Sequence, residues 1–331
     1  AALGQGPAVF SFQEDRMKIH TAAVVGLGAM GTMYAHCISR KNGEDSLQVI
    51  TDESRAQRYR CGGVRCNGET CHFHYASGQE AEPADLVIFA VKYSGLSQAV
   101  RTAAHAVGPH TVILSVLNGI SSEQILSRAY GPEKVLLCTA QAMDAVRTGG
   151  STVYHHMGSL WIGPQQKGQE ERVRAVDEFL TELGLSHEVA ADMPLRLWRK
   201  LMLNVGVNQA AMVYETNYGG VKVPGEARDV MIAAMKETGK VARAAGIPLK
   251  EEEADRWLNV IDGLDSDGMP SMRQDALAGR PTEVDLFAGT IREYGRRFGI
   301  PTPVNDRLFE QIRAKENKYM NKTNQNEKRK L

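Results

Sequence analysis

The chain has 331 residues with 39 basic and 39 acidic side chains. A formally neutral protein of that size has length enough for two cores and no general electrostatic pull toward nucleic acid. Hydrophobic residues at 43% and charged residues at 24% match the globular average, and no apolar run approaches the roughly 18 residues that cross a bilayer, so a membrane span is excluded.

Five cysteines, an odd number, with no secretory signal in view, are expected as reduced thiols in a cytoplasmic protein. The opening AALGQGPAVFSFQEDR carries no apolar periodicity, so residues 1–16 are expected to be a disordered or appended tail.

Organisation begins at KIHTAAVVGLGAMGTMYAHCISR, where an apolar run from Ala22 to Val25 meets Gly26, Gly28 and Gly31 and then a helical stretch. In such a strand–turn–helix setting the first glycine permits the turn, the second admits a pyrophosphate and the third packs helix on strand. Gly26, Leu27, Gly28, Ala29, Met30 and Gly31 are therefore the candidate cofactor loop, with the phosphates on the helix N-terminus. After the second strand, LQVITDESRAQRYR places Asp52 where an acid would accept a bond from a ribose 2′-hydroxyl. Arg55 and Arg58 follow within reach of a 2′-phosphate. Cys61, Cys66 and Cys71 recur every five residues near His72 and His74, a spacing that fits no zinc pattern, so no metal site is expected.

Two further apolar strands, ADLVIFAVK ending in Lys92 and TVILSVLNG containing Asn118, alternate with helical segments. This is the rhythm of a parallel sheet covered on both faces. STVYHHMGSLWIGP alternates like a hairpin, and a helix is expected over 168–184. The fold class read from these patterns is α/β: a Rossmann-type doubly wound domain over 17–191, followed by an all-α domain over 192–318 and a basic polar tail over 319–331, expected to be frayed. Helical periods cover 194–215, 224–246, 250–264, 269–279, 281–299 and 303–316, separated by Pro or Gly signals.

The first of these helices, PLRLWRKLMLNVGVNQ, is nearly all apolar yet places Lys200, Asn204 and Asn208 at successive steps of four. Each step advances the helix by only about 40°, so the three polar groups form one stripe. Lys200 offers a cation and an acid, while the asparagine amides suit a substrate hydroxyl or carboxylate. Ser271 and Asp275, four apart, can share a helix face. Gly279 and Pro281 interrupt the run before Glu283, which could orient Lys200 by a hydrogen bond.

In their order along the chain, the glycine loop, Lys92, LNG with Asn118, LWRKLMLNVGVN and SMRQDALAGRPTEVD resemble the ketopantoate reductases over nearly the whole length after Met17. The resemblance implies reduction of 2-dehydropantoate to (R)-pantoate by hydride transfer from NADPH, in the pantothenate and coenzyme A pathway. In that hydride addition to a ketone, negative charge forms on oxygen and requires a cation or acid set there beforehand. The resemblance makes Lys200 the proton donor, lets Asn204, Asn208 and Ser271 hold substrate, and sets Lys92, Asn118 and Glu283 at the cofactor and reaction centre. Family habit points to NADP(H), and Asp52 keeps NAD(H) open. The implied partner is a small 2-keto acid, in a protein that can form a homodimer and has no nucleic-acid or membrane partner. A related 2-keto acid dehydrogenase, or a nucleotide-sensing protein without catalysis, are the alternatives.

Overall fold

The computed structural model describes residues 16–328; apart from Arg16, the expected tail at 1–16 lies outside them. Five parallel strands, β1 (Ala22–Val25), β2 (Leu47–Ile50) and, further along, His74–Ala76, Ala84–Phe89 and Val107–Ser115, form the central sheet. Strand β1 lies in its middle, between β2 and the Ala84 strand, so the order reverses there and leaves a crevice at the carboxyl edge. Helix α1 (Ala29–Asn42) connects β1 to β2, and α2 (Glu53–Gly62) follows β2. Residues 64–76, read from the sequence only for their cysteine spacing, form β3 (Val64–Cys66), β4 (Glu69–Cys71) and β5 (His74–Ala76), the last pairing with β2.

Strand β6 (Ala84–Phe89), helix α3 (Tyr93–Thr102), strand β7 (Val107–Ser115) and helix α4 (Ser122–Tyr130) complete the doubly wound unit. Successive strand residues point to opposite faces, so each strand feeds two cores. Val24, Leu86 and Ile88 pack with Met33 and Ile38 of α1, whereas Val25, Val87 and Phe89 pack with Leu96 of α3 and Leu126 of α4. Burying each such side chain contributes about 1.5–3 kcal/mol, which is why these strands read as unbroken apolar runs.

The segment expected as a hairpin is not one. Strand β8 (Leu137–Met143) pairs antiparallel with β11 (Met157–Gly163), and the short β9 (Val146–Thr148) and β10 (Ser151–Val153) form their own hairpin between them. The Asp144 carboxylate accepts the backbone N–H of His155 and His156 at 2.9 and 2.8 Å. That turn separates the two halves of the alternating pattern and sends them into different sheets. Helix α5 (Glu170–Leu183) covers the first core, and β12 (His187–Val189) pairs with β11.

Everything beyond is helical. Helix α6 (Met193–Val213) starts at Asp192, whose carboxylate accepts the Leu195 N–H at 3.0 Å, with Pro194 in the first turn. Its residues Leu197, Leu201, Met202 and Val205 are the spine of the helical core. Around it stand α7 (Tyr218–Lys222), α8 (Glu226–Ala244), α9 (Glu253–Asp262) and α10 (Ser271–Leu277). The continuous helix expected over 281–299 is broken. Residues to Val284 are irregular, Asp285–Gly289 form a π-helical turn, and α11 (Thr290–Phe298) follows. The cause is polar: Gln209 Oε1 of α6 takes the Ala288 N–H at 3.0 Å. Helix α12 (Pro303–Lys328) runs on through residues 319–328 of the tail expected to fray. Among the described residues no helix is long and apolar enough to cross a membrane.

Candidate active site

The three glycines after β1 divide by what demands them. Gly26 has φ +98°, in the left-handed region, and a Cβ there would meet Val91 Cγ1 at 2.5 Å. A Cβ on Gly31 would lie 1.8 Å from the Gly26 carbonyl oxygen. The fold itself requires both. Gly28 is exposed, and its Cβ would meet nothing nearer than the Ala90 carbonyl oxygen at 3.8 Å. Only a ligand that closely approaches the backbone gives glycine an advantage there. Gly28 caps α1 without any side-chain bond, so the first-turn N–H groups of Ala29, Met30 and Gly31 are offered to an anion. Leu27 is buried in the core and contributes only its backbone.

The neighbouring strand ends open onto the same carboxyl edge. After β2, Asp52 caps α2, accepting the Ser54 hydroxyl at 2.7 Å and the Arg55 N–H at 2.8 Å, with the Arg55 guanidinium at 3.3 Å. The Ser54 hydroxyl first, then the Arg55 amide and charge, hold this carboxyl below its ordinary range. Arg55 is thereby engaged with Asp52, and Arg58 is exposed on α2. After β6, Lys92 reaches Asp275 Oδ2 at 3.0 Å and Glu283 Oε1 at 3.4 Å. Desolvation works against the Lys92 ammonium, but the Glu283 and Asp275 charges outweigh it and raise its pKa.

After β7 comes Asn118, and here the two halves of the chain join. Lys200 Nζ donates to Asn118 Oδ1 at 3.1 Å and to the Ala140 carbonyl at 2.6 Å. Asn118 Nδ2 donates to Glu283 Oε2 at 2.9 Å. The direct hydrogen bond from Lys200 to Glu283 expected from the sequence is thus replaced by a relay through Asn118. Burial pushes the Lys200 ammonium down to about 8, against the pull of Glu283 in the opposite direction. Glu283, 9% exposed, lies in the irregular stretch before the π-turn rather than in a helix first turn.

Ser271, Asp275 and Glu283 do not share one partner. The chain reverses at Gly279, φ +67°, bringing Asp275 and Glu283 together on Lys92, while Arg280 closes on Asp275 Oδ1 through Nε and a terminal nitrogen, both at 2.9 Å. Ser271 instead donates to Asn208 Oδ1 at 3.2 Å, an oxygen that also takes the Met272 N–H at 3.1 Å. Asn208 Nδ2 donates to Asn204 Oδ1 at 3.2 Å. Asn208, 5% exposed, therefore spends its amide tying α10 to α6, and Asn204 Nδ2 is left without a protein partner among the described residues. The Ala140 carbonyl has no sequence signature, because any residue supplies one. Arg280 could have been noticed, five residues after Asp275.

The family model described as Ketopantoate reductase PanE/ApbA matches residues 22–167, and its C-terminal counterpart matches residues 192–316. The chain belongs to the ketopantoate reductase family, a family of oxidoreductases. It is 26% identical over 299 residues to the 2-dehydropantoate 2-reductase of Streptococcus pyogenes, spanning 88% of this chain and 97% of that one. Among solved structures, D-mandelate dehydrogenase with NADH and anilino(oxo)acetate superposes with a TM-score of 0.81 at 23% identity, over 90% of this chain and 99% of that one. The PanE/ApbA family ketopantoate reductase from Ralstonia eutropha superposes with a TM-score of 0.78 at 24% identity and the same coverage.

Proposed function

We propose that the chain reduces 2-dehydropantoate to (R)-pantoate with a reduced nicotinamide dinucleotide, NADPH by family habit. The observation that carries this reading is Lys200, a half-buried ammonium whose pKa desolvation lowers, held at the carboxyl edge of a glycine-loop sheet by Asn118 and the Ala140 carbonyl. The bare Gly28 backbone and the uncapped α1 N-terminus fit the pyrophosphate of a dinucleotide. When bound, that cofactor supplies the hydride.

The chain's own residues do the rest. Lys200 sits where a substrate carbonyl oxygen gains charge, stabilises it, and transfers a proton to it. Glu283 fixes the Asn118 amide, so Oδ1 faces Lys200. Asn204 Nδ2, the free donor beside Lys200, takes the substrate hydroxyl or carboxylate, and Asn208 with Ser271 positions Asn204 instead of touching substrate. Lys92 follows Val91, which lies against Gly26 of the cofactor loop, and pairs with Glu283. Asp52 favours a second reading for the cofactor, because an ionised carboxylate with Arg55 tied to it accepts a ribose hydroxyl and repels a 2′-phosphate.

The test is a spectrophotometric assay of 2-dehydropantoate, pyruvate and an aryl 2-keto acid, each with NADPH and NADH. Turnover of 2-dehydropantoate well above pyruvate supports the reading, since an unpaired Asn204 donor costs about 1–3 kcal/mol. Equal turnover of the two would refute the assignment of Asn204.

A further inference from the structure

Helix α4, entered from the loop that carries Asn118, holds in its first turn a carboxyl for which the chemistry above has no use. Glu123 is only 2% exposed. Its Oε2 accepts the Ser122 hydroxyl at 2.9 Å, and Ser122 Oγ accepts the buried Ser115 hydroxyl at 2.8 Å. Its Oε1 has no hydrogen-bond partner among the described residues. A buried acid with an orphan oxygen is costly, and an apolar side chain of similar volume would serve packing better.

Two elements link this carboxyl to the Lys200 site. Asn118, which accepts from Lys200, lies on the loop leading into α4, five residues before Glu123 in its first turn. Cys138, whose charge would act on Glu123 and Lys200 alike, lies on β8 two residues before Ala140, the carbonyl that takes the ammonium. The titratable groups whose charge acts on Lys200 are Glu283 from the stretch before the π-turn, Cys138 from β8 and Glu123 from α4. Lys92 and Asp275 face Glu283. Burial pushes the Cys138 thiol up to about 12, so it carries no charge at neutral pH.

We propose that Glu123 is a positioning residue for Lys200, its buried carboxylate keeping the ammonium charged and seated against Asn118 and Ala140. The inference rests on the reading of Lys200 as the acid. Burial raises the Glu123 carboxyl to about 7 and lowers the Lys200 ammonium to about 8. Desolvation disfavours both charges; Glu283 first and then Glu123 draw the Lys200 proton the other way, and Lys200 in turn favours the Glu123 carboxylate. Above about pH 7 the carboxylate is present and retains the Lys200 proton. Below that, Lys200 is charged without help.

The test uses Glu123→Gln, which keeps size and removes the charge, and Glu123→Asp as the conservative control. The alkaline limb of kcat/KM is expected to move down by about 1 pH unit in Glu123→Gln, the low end for losing a neighbouring carboxylate, and to return toward native in Glu123→Asp. A readout free of turnover is the NMR titration of lysine labelled with carbon-13 at the ε position, the Lys200 signal being the one missing in Lys200→Arg. Its midpoint should fall with the limb. A folded Glu123→Gln protein whose Lys200 midpoint matches native overturns the inference alone. Near-native turnover by Lys200→Ala overturns the reading on which it rests.

Discussion

Lys200 and Asn118 are joined by a hydrogen bond of 3.1 Å from Nζ to Oδ1, and the Asn118 amide cannot turn over because its Nδ2 is committed to Glu283. Flipping it would aim an NH2 group at an ammonium. Asn118→Ala should therefore lower kcat by about 10- to 100-fold, the value of a hydrogen bond to a charged group, with the thermal midpoint little changed. Steady-state kinetics beside a melting curve checks this; native kcat would remove Asn118 from the reaction centre.

The pH dependence follows from Lys200. Burial holds its pKa at about 8, and reduction needs the protonated form. The rate kcat/KM for keto acid reduction is expected to be level below about pH 8 and to fall above it, while oxidation of the hydroxy acid rises across the same range. A reduction profile flat to pH 10 would contradict the assignment, since a lysine at its ordinary value titrates near 10.4.

Gly28 and Gly31 separate ligand binding from folding. Gly31→Ala forces a Cβ to within 1.8 Å of the Gly26 carbonyl oxygen and is expected to destabilise the protein by several kcal/mol, on the order of the severe end for single substitutions. Gly28→Ala meets only an ordinary contact with the Ala90 carbonyl oxygen at 3.8 Å, so its melting temperature should stay native while dinucleotide affinity drops. If calorimetry and cofactor titration found the two variants alike, the pyrophosphate would not sit on this turn.

At the adenosine end, Asp52→Ser removes the ionised carboxylate and releases Arg55 from the pair at 3.3 Å. Affinity for NADPH relative to NADH should then rise by about tenfold or more, as expected when a repulsive charge becomes an available guanidinium. Fluorescence titration with each cofactor measures the ratio directly, and an unchanged ratio would place the ribose elsewhere.

Legibility in the sequence followed locality. The strand–glycine–helix start at Ala22–Gly31 and the stripe of Lys200, Asn204 and Asn208 were readable because a short window contains the whole pattern. The convergence of Asp275 and Glu283 on Lys92 was not, because it depends on a chain reversal at Gly279 and a strand end 183 residues before Asp275. The same holds for the relay through Asn118, 82 residues from Lys200. Asn208 was legible as one of the stripe's amides suited to substrate, but its occupation by the Met272 N–H depends on where α10 docks. The false hairpin at 151–163 failed because alternation does not name its partner: β10 and β11 both alternate, yet the Asp144 turn sends them to different neighbours.

The central claim is that Lys200 is the acid of a hydride-transfer site, and the kinetics of Lys200→Ala with 2-dehydropantoate and saturating cofactor test it most directly. Loss of one positioned acid or oxyanion donor should lower kcat by about 10² to 10⁴. Cofactor affinity should barely change, because the glycine loop, not α6, would hold the pyrophosphate. A correctly folded Lys200→Ala protein with near-native kcat would contradict the account and return the polar stripe of α6 to a structural role.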